Sequence, residues 1–123
     1  MASCGGNSAT PPANAASAQM PGEAVYRNTC AVCHQSQGEG IAGSFPPLAK
    51  SDFLANREKA ILQVVKGSSG DLVVNGVKYN GIMPPQSLKD HEIAAVLTYV
   101  YSSFGNTRGA VTVDEVKAVR EKM

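Results

Sequence analysis

Two thiols and an imidazole are packed into Cys30-Ala31-Val32-Cys33-His34, and this short run limits the fold more than any other feature of the chain. On a helical turn, side chains at i and i+3 lie on one side. The two thiols can therefore bond two points of a single rigid group, and the imidazole that follows projects toward the same face. Three chemistries use cysteines at this spacing. A thioredoxin-like redox pair needs a preceding strand in a βαβ context. Here the preceding segment, Gly22-Glu23-Ala24-Val25-Tyr26-Arg27-Asn28-Thr29-Cys30, reads as a short helix, and a Gly-rich loop follows. A structural zinc site needs four ligands, usually as two separated pairs. Beyond the run only His91 and Cys4 could contribute, and Cys4 lies in a polar N-terminal tail. The third chemistry fits the motif and its context: thioethers from Cys30 and Cys33 to one covalently attached haem c, with His34 as an iron ligand.

The chain has 123 residues, which points to one small domain. A domain of that size buries a modest fraction of its surface, so a large apolar cofactor would add much of the core. Eleven basic residues face ten acidic ones, for a net charge of +1. That balance leaves no footprint for nucleic acid or an anionic membrane surface. No apolar run approaches the length of a transmembrane helix. The cysteines number three, and an odd count argues against a plain disulfide framework. No intact signal peptide precedes the motif, so an exported protein is expected to have lost its leader.

Residues 1–21 are Ala, Ser, Asn, Gly and Pro in the main, carry no charge and show no periodicity; they read as a flexible tether. Residues 22–123 form the domain. A loop is expected over 35–52. Asn56 can cap a helix over about Arg57 to Lys66, with Ile61, Leu62 and Val65 as its apolar face and Gly67 and Gly70 ending it. Asn75-Gly76 between Leu72-Val73-Val74 and Val77-Lys78-Tyr79 is a hairpin signal, since both turn positions need positive φ. Residues 80–86 are too rich in Gly and Pro for regular structure. A longer helix should run from about Asp90 to Ser103, with Ile93, Val96, Leu97 and Val100 at helical spacing and Gly105 beyond it. Thr112-Val113-Asp114-Glu115 is a capping box for a last helix. The fold class is mostly α with one small hairpin.

A second axial ligand must come from elsewhere. Met1, Met20 and Met123 stand at the ends or in the tether. Met83 lies in Gly81-Ile82-Met83-Pro84-Pro85, where a glycine before and prolines after fix an irregular backbone that can present a thioether. His and Met are a common axial pair for this cofactor. The rival is His91, among Lys89, Asp90 and Glu92, a neighbourhood that reads as solvated surface.

With these residues placed, the stretch 22–104 closely resembles the class I c-type cytochromes. The resemblance implies helices wrapped around one haem with a small β-hairpin. It implies that Gly22 and Tyr26 on the first helix pack against the later long helix at Val96, Tyr99 and Val100. It also implies that Phe45-Pro46-Pro47-Leu48 supplies the Pro46 carbonyl as acceptor for the His34 ring N–H, with Leu48 packed on the haem. The segment VNGVKYNGIMPP is similar to cytochrome domains associated with haem-copper oxidases or fused to copper nitrite reductases. Tyr79 and Asn80 would then border the methionine side of the haem, or serve only as hairpin-end and turn residues. Residues 105–123 exceed the minimal family fold and are expected as an extra C-terminal helix, covering core or left from a larger fused protein.

The function this implies is electron carriage, not catalysis: one-electron transfer through a haem whose axial positions are both filled, between respiratory partners such as an upstream donor and a terminal oxidase or reductase. Val32, Ile82 and Pro85 are expected at the apolar rim of the haem edge. A haem enzyme such as a peroxidase, with Met83 unbound, and a haem-based sensor are the rivals; the absorption spectrum separates them. The expected location is the bacterial periplasm or the outer face of the cytoplasmic membrane. Cys4, flanked by Ala2-Ser3 and Gly5-Gly6 at the head of the tether, resembles the lipidated cysteine of a bacterial lipoprotein. The alternative is a leftover thiol.

Overall fold

The computed structural model describes residues 22–123; the expected tether, with Cys4 and Met20, lies outside the described residues. Helix α1 (Gly22–Val25) continues through a π-helical turn, Tyr26–Cys30, into α2 (Ala31–His34). A loop with an isolated bridge between Ile41 and Phe45 follows, then a 3₁₀ turn, Asp52–Ala55. Helix α3 spans Arg57–Val65, and the Asn56 side chain accepts from the Lys59 N–H, as the capping reading requires. Strands β1 (Leu72–Val74) and β2 (Val77–Tyr79) pair antiparallel, Leu72 opposite Tyr79 and Val74 opposite Val77. Asn75 and Gly76 have φ of 52° and 80°, the left-handed pair this turn demands. Helices α4 (Asp90–Tyr101) and α5 (Val113–Glu121) complete the chain. Among the described residues no helix is long and apolar enough to cross a membrane.

Three details differ from expectation. The buried stripe of α3 is Ala60, Ile61 and Val64, with Leu62 and Val65 only half-buried, so the helix is turned slightly from the expected face. Helix α4 stops at Tyr101, two residues early. There Phe104, at φ 57°, swings back onto the rings of Tyr26 and Tyr99, and buried Asn106 donates to the carbonyls of Leu48 and Val100. Those contacts satisfy groups that another helical turn would carry away. Finally, the closest approach of the first helix to α4 includes Ala95, which was not expected, beside Tyr99, which was. A Cβ on Gly22 would lie 2.1 Å from the Ala95 carbonyl oxygen and 2.9 Å from Tyr99 Cβ, so the crossing is along Ala95 and Tyr99. The glycine permits backbone contact that no other residue would.

One of the residues that fasten the C-terminal segment is Arg57, which the sequence offers only as the start of a helix. Arg57 donates from Nε and Nη2 to the two carboxylate oxygens of Glu115, at 2.8 and 2.9 Å. It also bonds the Ala110 carbonyl and lies 5.2 Å from the Tyr101 ring centroid. Glu115 meanwhile completes the expected capping box with Thr112. Arg57, aided by the Thr112 N–H, draws the Glu115 carboxyl from 4.5 down to about 2. A carboxyl with a lowered folded value contributes stability that is full above its unfolded value and is lost as pH falls through the folded one. Glu115→Gln should therefore lower stability at neutral pH by about 1 kcal/mol, a modest figure because the pair is partly solvated. Denaturant titrations of both proteins should converge as pH is lowered from 4.5 to about 2; a gap independent of pH would show that the charge is not what matters.

Candidate functional site

Every element before α5 except α1 contributes to the wall of one cavity of about 310 Å³. Cys30, Cys33 and His34 line it from the first helical segment; Pro46 and Leu48 from the loop; Leu54, Ala60 and Val64 from the 3₁₀ turn and α3. Leu72, Val74 and Tyr79 come from the hairpin, Ile82, Met83 and Pro84 from the irregular loop, and Val96, Leu97 and Val100 from α4. Val96 and Val100, expected against α1, also line this cavity. His91 is not among the lining residues, so the rival axial ligand is not brought to the site.

His34 is buried, 8% exposed, and its Nδ1 lies 2.8 Å from the Pro46 carbonyl oxygen. A carbonyl only accepts, so Nδ1 carries the proton and Nε2 carries a lone pair. Burial pushes the imidazole below its ordinary value, and the bond to Pro46 opposes that only in part. The ring is therefore neutral, and among the described residues its Nε2 has no hydrogen-bond partner. A buried nitrogen left this way is costly unless something in the cavity takes its lone pair. Iron does so. The Cys30 thiol is half-buried, and its partial burial, with Cys33 beside it, pushes it up to about 11. That is opposite in direction to a catalytic redox cysteine, and the segment before it is helix rather than the strand a thioredoxin-like site requires. Among the described residues no group of three or more His, Cys, Asp and Glu could hold a metal ion, so they offer no zinc ligand set; Cys4 lies outside them.

An apolar cavity with two thiols and one free imidazole nitrogen on its wall suits a flat, apolar, iron-bearing ring. The cytochrome c family model matches residues 19–103. The chain belongs to the cytochrome c family. It carries a covalently bound haem c and transfers electrons through it. Cytochrome c-552 of Thermus thermophilus is 42% identical over 116 residues, covering 85% of this chain and 78% of that protein. The cytochrome c subunit of a quinone alcohol dehydrogenase from Gluconacetobacter polyoxogenes is 29% identical over 119 residues. The fructose dehydrogenase cytochrome subunit of Gluconobacter japonicus is 32% identical over 107. Their coverage is lopsided: 85% and 80% of this chain, but 23% and 22% of those subunits.

Of the rim residues, Val32 and Ile82 line the cavity while 79% and 76% exposed, which places them at its mouth. Pro85 does not line it; Pro84 does. Buried Tyr79 is on the wall and Asn80 is not. The sequence reading missed what holds the loop and the hairpin. Gly40 donates its N–H to the His34 carbonyl at 2.9 Å, and a Cβ there would come within 2.4 Å of the Phe45 carbonyl oxygen. Asp52 and Asn75 exchange bonds, each side-chain oxygen accepting from the other's N–H at 2.8–2.9 Å, and pin the hairpin to the 3₁₀ turn.

Gly40 has φ 68°, so Gly40→Ala combines strain with a clash on the loop backbone that carries Pro46. The variant should lose more than about 1 kcal/mol in denaturant unfolding. The His34 Nδ1 proton, protected in the parent by its bond to Pro46, should exchange faster in the variant when followed by NMR. Stability lost with that proton still protected would show that Gly40 does not govern the Pro46 bond.

Proposed function

We propose that Cys30 and Cys33 bear the two thioethers, that His34 Nε2 and the Met83 sulfur are the axial ligands, and that Pro46 and Leu48 orient the imidazole and pack on the ring. The carrying observation is that a neutral imidazole with a free Nε2 and the one thioether on the cavity wall line the same cavity. When bound, haem supplies a reversible one-electron couple tuned by its axial pair, burial and hydrogen bonds. With both axial positions filled the iron offers no substrate site, which favours a carrier over a peroxidase. The oxidised protein should show the weak far-red sulfur-to-iron charge-transfer band. Met83→Ala should lose that band, lower the reduction potential and admit exogenous ligands. An unchanged spectrum would assign the sixth position to another group.

In this reading the protein shuttles electrons in a bacterial respiratory chain, in the periplasm or at the outer face of the cytoplasmic membrane. Residues 1–21 act as the tether and Cys4 as its lipidated end, a reading supported by the small residues around that cysteine. The dehydrogenase cytochrome subunits among the relatives support a dehydrogenase-type donor. The likeness of VNGVKYNGIMPP supports a haem-copper oxidase or copper nitrite reductase as acceptor. Docking at the exposed Val32 and Ile82 would be apolar, and the net charge of +1 offers little steering. Electron-transfer rates with an isolated copper-domain acceptor should change by less than roughly threefold between low and moderate salt. A steep fall would place a charged patch, rather than the apolar mouth, at the contact.

A further inference from the structure

Gly67 and Ser68, just past the end of α3, are built against the backbone of Met83. Gly67 has φ 76°, and a Cβ on it would lie 2.4 Å from the Met83 carbonyl oxygen, 2.7 Å from Pro85 N and 3.0 Å from Pro84 C. Those are backbone atoms of a proline-stiffened loop, which cannot rotate aside as a side chain can. Ser68 grips Met83 twice. Its N–H donates to the Met83 carbonyl and its carbonyl accepts the Met83 N–H, both at 2.9 Å. The loop then returns to the same helix, since the Gln86 N–H donates to the Val64 carbonyl at 2.9 Å.

We propose that Gly67 and Ser68 are positioning residues for the Met83 thioether, and that opening of their contact with Met83 controls access of other ligands to the sixth iron position. This rests on the reading of Met83 as that ligand. The loop has little of its own to fix its course. Residues 80–82 are exposed and take no part in regular structure. Its register is set by the two bonds to Ser68, and its closeness to α3 by the missing side chain of Gly67. A residue that only stabilised the fold would weaken everything together; this pair acts on one ligand.

The test uses the haem-loaded protein, with imidazole as the competing ligand. Gly67→Ala should weaken the sulfur-to-iron band and raise the apparent imidazole affinity roughly tenfold or more, since a ligand that must wait for an opened site gains as the open fraction grows. Gly109→Ala is the control: φ is 83° there too, but nothing lies within 4 Å of its Cβ. It should cost stability and leave band and affinity alone. Equal imidazole affinity in the two variants, with the band lost in Met83→Ala, overturns this inference alone. A band that survives Met83→Ala removes the ligand reading and this inference with it. If Gly67→Ala does not fold, hydrogen exchange on the parent protein decides. Saturating imidazole should speed exchange at the Ser68 and Met83 amides together while leaving α4 protected; protection unchanged at both amides overturns the proposal.

Discussion

The hydrogen bond from His34 Nδ1 to the Pro46 carbonyl fixes more of this molecule than its length of 2.8 Å suggests. It selects the tautomer, and with it the nitrogen that faces the cavity. It also requires that a loop from 35 to 48 return to the helix it left. The means are local. Gly38 accepts at its carbonyl from the N–H groups of Leu48 and Ala49, Gly40 closes on the His34 carbonyl, and Ile41 bridges Phe45. Gly38 is itself under the Phe104 ring, 2.7 Å from where its Cβ would be. The aromatic cluster of Tyr26, Tyr99 and Phe104 is therefore one side of the same arrangement, and Tyr26 adds a bond from its hydroxyl to the Gln35 carbonyl at 2.6 Å.

Helix α4 lets these parts share a frame. Ala95 and Tyr99, four apart, receive the first helix at Gly22 and Tyr26. Val96, Leu97 and Val100 face the cavity. Tyr101, next along, donates its hydroxyl to the Leu54 carbonyl at 2.7 Å and supports Arg57. Thr98 bonds both the N–H and the carbonyl of Val111, drawing in the segment that leads to α5. Each face of a short helix thus has a different partner, so a one-residue error in assigning its contacts exchanges site residues for scaffold residues.

The close approach at Ala95 shows how far the sequence could be read. The five-residue motif, the hairpin turn, the Asn56 cap and the Thr112 capping box were legible because each depends on chemistry a few residues wide. Helix periodicity gave the apolar side of α4, but a stripe has width, and periodicity alone does not say that Ala95 rather than Val96 meets Gly22. Small size is what qualifies Ala95 and Gly22 for close approach, and no hydrophobicity pattern rewards it. Gly40 and Gly67 were legible only as loop residues or helix stops. Their roles depend on backbone brought near from five and more residues away, which is tertiary information. The same holds for Arg57 and Glu115, separated by 58 positions, and for the Asp52–Asn75 exchange across 23.

Charge is distributed with the same economy. The ion pairs that join separate elements, Arg57 with Glu115, Arg120 with Asp90 and Lys122 with Glu58, all hold α5 in place. None of the residues on the cavity wall is Asp, Glu, Lys or Arg. A wall without fixed charge leaves a haem iron little to compensate the extra positive charge of its oxidised form, and burial in apolar surroundings therefore favours the reduced form. Potential in such a site is governed by the axial pair and by how far solvent reaches past Val32 and Ile82 at the mouth. The covering of that mouth by a partner's apolar face would remove water from both rims at once, so docking and the tuning of the couple are the same physical event at this surface.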